Sequence, residues 1–137
     1  MKKVLVFGSF DILHDGHRSL FRQARKHGDR LAVIVARDAT YERLRGHKPL
    51  HDEYARLKNV AEESLVDEAL LGDPHDPYRS LRIVRPDVVC LGYDQEWFVD
   101  DLSAKLSSFG LRSVPVIRLE PFSPERHKSS LLKKARR

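Results

Sequence analysis

Five short apolar runs recur along the chain, at residues 4–8 (VLVFG), 30–37 (RLAVIVAR), 68–72 (EALLG), 86–92 (PDVVCLG) and 113–119 (SVPVIRL). They are continuous rather than alternating, which is the pattern of strands covered on both faces. Between them lie HRSLFRQARKHG, DEYARLKNVAEESL, PYRSLRIV and WFVDDLSAKLSSFG, whose apolar positions recur at helical spacing. Strand and helix in alternation predict an α/β domain: a five-stranded parallel sheet with helices on both faces.

Local chemistry sets several boundaries. Gly28 follows RQARKH and is expected to cap that helix in the left-handed conformation, as Gly110 is expected to close LSAKLSSF. Pro86 disfavours helical geometry at Arg85 and so starts the next strand, while Pro115 places the last strand at a sheet edge or at a bulge. The segment from Arg43 to Asp52 is polar, basic and without clear periodicity, which predicts a mobile substrate loop.

The totals narrow the class. With 137 residues, 41% hydrophobic and 33% charged, one domain over residues 1–137 is expected. No run approaches the roughly 18 apolar residues of a membrane span, and no secretory signal pattern follows MKK, so a cytoplasmic protein without a membrane partner is expected. The single cysteine, Cys90, excludes an internal disulfide and reads as a core residue. The net charge of +5 is modest and much of it falls in residues 127–137, HKSSLLKKARR; basic and acidic residues are interleaved elsewhere. That distribution suits a small anionic ligand better than nucleic acid.

The candidate chemistry lies after the first run. In a parallel α/β sheet ligands bind at the carboxyl ends of strands, and here the chain reads FGSFDILHDGH, residues 7–17. Neither a P-loop nor a dinucleotide fingerprint is present. What remains is a small-residue turn with free backbone N–H groups, then His14 and His17 at a helix start, separated by Gly16, where a ligand can approach the backbone. A helix N-terminus disfavours a protonated imidazole and favours an anion. On residue identities alone two other readings stay open: a metal bound by the pair with Asp11, and surface histidines without a role.

GSFDILHDGH resembles the G-[ST]-F-D-x-x-H-x-G-H signature of the HxGH nucleotidyltransferases, which include cytidylyltransferases, phosphopantetheine adenylyltransferases and archaeal-type FAD synthases. VDEALLGD, LGYDQ and SSLLKK are similar to further segments of that family, and VARDATYERLRGHKP with LGYDQ is most similar to the FAD synthases. The resemblance implies a small Rossmann-like fold, commonly dimeric, that moves a nucleoside monophosphate from ATP (or CTP) with Mg2+ to a phosphorylated acceptor, FMN foremost. It also implies roles. His14 and His17 hold phosphate oxygens in the transition state, with Gly8, Ser9, Phe10 and Gly16 lining the nucleotide, and Arg56 contacts phosphate. Arg45 and Lys48 gather the acceptor phosphate near Asp11 and Asp38. Gly92 and Asp94 border the base and ribose, and Lys128, Ser129 and Ser130 cap the triphosphate.

The chain departs from the pattern at Asp15, Arg45, His47, Lys128 and Leu131. A CTP-dependent enzyme acting on glycerol 3-phosphate or a similar small phosphate is the alternative, although its usual GDDW is GYDQ here. A nucleotide- or RNA-binding protein that kept only the fold is the non-enzymatic one. The intact histidine pair and the absence of interleaved aromatics in the basic tail weigh against it.

Overall fold

Each of the five apolar runs forms a strand. In the computed structural model, which describes residues 2–76, 78–93, 95, 99 and 101–122, the chain runs β1 (Lys3–Gly8), α1 (Asp15–Arg25), β2 (Arg30–Val35), α2 (Asp38–Arg45), α3 (Glu53–Ala61), β3 (Glu68–Leu71), α4 (Arg79–Val84), β4 (Val88–Leu91), α5 (Leu102–Ser108) and β5 (Val116–Arg118). All strand pairs are parallel and the order is β3-β2-β1-β4-β5.

The period-two geometry of strands explains why the runs are apolar throughout. Val4 and Val6 pack with Phe21 and Ala24 of α1 and Val60 of α3 on one face. Leu5 and Phe7 pack with Leu81 and Val84 of α4 and Leu102 and Leu106 of α5 on the other. Helices thus cover both faces, as the sequence predicts. Cys90 lies in the core with no exposed surface, and burial pushes its thiol up to about 11. Pro115 immediately precedes the edge strand β5, where its missing N–H costs no ladder bond.

Two boundary expectations need correction, and a third holds with an unexpected geometry. Gly28 is not left-handed; α1 ends at Lys26 in ordinary helical geometry. Glycine is required at 28 because a Cβ would lie 2.6 Å from the Lys2 carbonyl oxygen, where the chain turns against β1. Arg85 leaves helical geometry as expected, but into the left-handed region at φ 50°. The polar stretch after Arg43 is not one mobile loop: residues through Arg45 complete α2, which ends at Gly46 with φ 79°. The low apolar content of α2 hid it, since only Thr40 and Tyr41 are buried there.

The strand order fixes where a ligand can sit. From β1 the chain moves outward to β2 and β3, then crosses back to β4 on the other side of β1. The crevice beyond the carboxyl ends of β1 and β4 is therefore the topological switch point, and Gly8 and Leu91 open onto it.

Candidate active site

The turn after β1 is strained and tightly packed. Phe10 adopts φ 53°, unusual for a bulky residue, and is only 3% exposed. Its ring folds back over Gly8, where a Cβ would lie 2.5 Å from the ring edge. The space that a side chain at Gly8 would need is thus filled by Phe10. Phe10 also meets His17 edge-on, with ring centroids 5.3 Å apart, so core packing orients that imidazole.

The histidines begin α1 as a reciprocal cap. His14 is the N-cap residue, and its Nδ1 accepts from the Gly16 N–H at 3.0 Å. His17 Nδ1 accepts from the His14 N–H at 3.3 Å. A neutral imidazole whose Nδ1 accepts carries its hydrogen on Nε2, so each cap leaves one Nε2–H donor for a ligand. The rings lie 4.0 Å apart, tilted by 31°. Gly16 is small for the same reason: a Cβ would lie 2.8 Å from His14 Cε1.

Burial first, then the neighbouring charges of His14 and Arg18, lower the His17 pKa to about 4. Its ring is neutral at pH 7 and does not oppose the helix dipole. The unfolded chain takes up this proton first, so the stability that depends on neutral His17 is complete above pH 6.5 and is lost as pH falls towards about 4. An NMR titration should show the His17 ring shifts flat from pH 8 to about 5.5; a midpoint near 6.5 would mean that the ring is not held neutral.

A cleft of about 360 Å³ joins His14, Gly16, His17 and Leu20 to Gly92, Tyr93, Glu120 and Phe122. The far wall is built by side chains the sequence reading passed over. Arg118 donates to the carbonyls of Gly92 at 2.8 Å and Gln95 at 2.6 Å, and Gln95 Oε1 accepts from the Gly92 N–H at 3.2 Å. Gln23 on α1 donates to the Glu120 carbonyl at 3.1 Å and accepts from the Glu120 N–H at 2.8 Å. This pair of bonds, like one rung of a strand pairing, holds the chain after β5 against the helix that carries the histidines. The 97-residue separation left no local pattern from which Gln23 was legible.

Arg56 requires the main correction. It has no exposed surface. Its guanidinium donates to the His51 carbonyl at 2.9 Å, the Ser9 carbonyl at 2.8 Å and the Asp38 carboxylate at 2.7 Å. A buried guanidinium satisfied by internal acceptors positions the β1 turn rather than contacting phosphate. Asp11 is likewise engaged, accepting from the Leu50 and His51 N–H groups at 2.8 and 2.9 Å. Burial alone would raise its pKa, but those two backbone bonds and the charges of His51 and Arg56 outweigh it and hold the carboxyl below its usual value. Asp11 thereby fixes the 50–51 backbone.

Arg45 reaches the Ser9 Oγ at 3.3 Å and lies over the Tyr41 ring. Lys48 and Asp38 face a second cavity beside this turn. Asp94, Lys128, Ser129 and Ser130 lie outside the described residues. Among the described residues no group of three or more His, Cys, Asp or Glu side chains is placed to hold a metal ion, and no helix is long and apolar enough to cross a membrane. A cavity of about 400 Å³ between β3 and α4 is mostly apolar and includes neither histidine.

Comparison with known proteins agrees with this fold. Residues 5–135 match the Cytidylyltransferase-like family. A FAD synthase of Thermoplasma acidophilum is 40% identical over 134 residues, covering 98% of this chain and 93% of that protein. A FAD synthase of Aciduliprofundum boonei is 43% identical over 122 residues, 89% of this chain and 80% of that protein. A solved structure from Thermoplasma volcanium, named a lipopolysaccharide core biosynthesis protein, superposes with a TM-score of 0.82 at 38% identity, over 90% of this chain and 99% of that one. With a Rossmann-like sheet, a histidine-capped helix at its switch point and relatives matching nearly its whole length, the chain belongs to the cytidylyltransferase-like family of nucleotidyltransferases.

Proposed function

We propose that this nucleotidyltransferase is an FMN adenylyltransferase, forming FAD and pyrophosphate from ATP and FMN. The observation that carries the chemistry is the pair of Nε2–H donors that His14 and His17 present at the N-terminus of α1, on the cleft shared with Gly92. The acceptor follows from the curated relatives, which are named FAD synthases.

In this reaction a phosphate oxygen of FMN attacks the α-phosphorus in line, and the bond from that phosphorus to the oxygen bridging to the β-phosphate breaks as pyrophosphate leaves. The attacking phosphate is already ionised, so no base is needed. The residues bring two anions together and stabilise charge on the α-phosphate and leaving group. Both imidazoles donate through Nε2 to those oxygens, and the first backbone N–H groups of α1 add their dipole. Gly92 and the turn pinned by Arg118 border the nucleoside. Arg45, already beside Ser9, meets the acceptor phosphate. Magnesium bound with the triphosphate would supply neutralising charge there, and the chain's own share of that task falls to the donors of His14, His17 and Arg45. The protein acts as a homodimer, which sedimentation measures directly.

The test is incubation of the purified protein with ATP or CTP, magnesium and a panel of phosphorylated acceptors, with products identified by mass. FAD and pyrophosphate are expected from ATP and FMN. Turnover of CTP with glycerol 3-phosphate in their place would move the protein to the cytidylyltransferase reading.

A further inference from the structure

Gly16, Leu20 and Gln23 fall at helical spacing along one stripe of α1, the helix that begins at the two histidines. Gly16 and Leu20 line the cleft beside His14 and His17, and Glu120 and Phe122 line it from the chain that follows β5. Gln23 is the side chain that joins these two walls.

The sheet alone holds the second wall weakly. β5 is a three-residue edge strand, and the Leu119 N–H donates to the Leu91 carbonyl at 2.8 Å just beyond it. At the next residue the partner changes from a strand to a helix: Gln23 Nε2 donates to the Glu120 carbonyl at 3.1 Å, and Gln23 Oε1 accepts from the Glu120 N–H at 2.8 Å. Nε2 also donates to the Ser19 Oγ at 3.2 Å, one turn back on α1, which fixes the plane of the amide. A side-chain amide carries donor and acceptor together, as a peptide group does, so one glutamine satisfies both backbone groups of Glu120. The strap has a counterpart at the mouth of the cleft. Phe122, two residues past Glu120, sits over the start of α1, where a Cβ on Gly16 would lie 4.0 Å from the Phe122 Cβ.

We propose that Gln23 is a positioning residue for the donor triphosphate: it sets the width of the cleft between the histidine-bearing helix and the chain after β5. The proposal rests on the nucleotide-transfer reading of the cleft and not on the identity of the acceptor. With the strap in place the nucleotide meets a wall already ordered. Without it, ordering that wall is a cost of binding. A side chain that only packs would affect melting and leave nucleotide affinity alone.

Gln23→Met separates the two, because methionine keeps the length of the side chain and suits a helix, and water can reach the backbone of the exposed Glu120. Assayed well below its melting temperature, the variant should show a KM and an equilibrium dissociation constant for ATP with magnesium raised about tenfold, from the wall that must now be ordered on association. Its kcat and its KM for FMN should stay near wild type, since the histidine caps and the Arg45 contact do not involve Gln23. Gln23→Glu, which keeps the acceptor and loses both donors, should weaken ATP in the same direction. Ser19→Ala leaves both bonds to Glu120 in place and should bind ATP as the wild type does. Gln23 variants that melt lower but keep wild-type affinity for ATP overturn the proposal. So does an equal loss in Ser19→Ala, which would trace the effect to α1 rather than to the strap. If the wild-type protein binds neither ATP nor CTP, the nucleotide reading of the cleft fails and the role of Gln23 fails with it.

Discussion

Replacing His14 with alanine is expected to lower kcat about a hundredfold, corresponding to roughly 3 kcal/mol of lost transition-state stabilisation, with a much smaller change in the KM for the triphosphate. The reason is geometric. Nδ1 of His14 is occupied by the Gly16 N–H, so Nε2–H is the group left to meet developing charge on phosphate oxygens. Alanine also removes an N-cap, which costs about 1 kcal/mol of stability, so the two effects need separating. His14→Asn does so: asparagine caps well and has no donor at the position of Nε2. It should restore the melting temperature and remain slow. A variant that regains both stability and rate would show that His14 acts only as a cap.

Arg56→Ala is expected to destabilise the fold by about 3 kcal/mol, since it removes one partner of a buried, hydrogen-bonded ion pair. Asp38 is partly exposed and water can reach it, which keeps the loss at the lower end of the usual range. A fall of about 10 °C in melting temperature should accompany it. Activity should drop as well, because the Ser9 carbonyl, the His51 carbonyl and Asp38 lose their common donor. Arg56→Lys should rescue little: an ammonium is a compact charge and cannot span three acceptors as a planar fork does. If stability is unchanged and only the KM for the triphosphate rises, Arg56 contacts phosphate after all.

The contrast between these two residues shows how much of the site was legible along the chain. His14 and His17 could be placed because a strand, a small-residue turn and a helix start fall in register within eleven residues, 7–17. Arg56 could be picked out as important, but not assigned its partners. Buried and exposed arginines look alike in sequence, and its acceptors come from residues 9, 38 and 51. The sequence reading placed Gly8 and Gly16 along the nucleotide, with Gly16 as a point where a ligand can approach the backbone. Only the folded chain shows that Phe10 and His14 fill the space a side chain there would need. Helix α2 was missed because a surface helix with two buried residues carries too weak an apolar stripe to register.

By itself the sequence determined the five strands, the helices with strong stripes and the small-residue turn with its two histidines, because each is written in short-range spacing, while the class of chemistry was carried by the resemblance of GSFDILHDGH to a known family signature. The tertiary structure alone decided the strand order, the neutral state of His17, the inward turn of Arg56 and Asp11, and the wall that Gln23 and Arg118 build. Those depend on which distant groups are brought within hydrogen-bond reach in a medium of low dielectric, and spacing along a chain does not encode that distance.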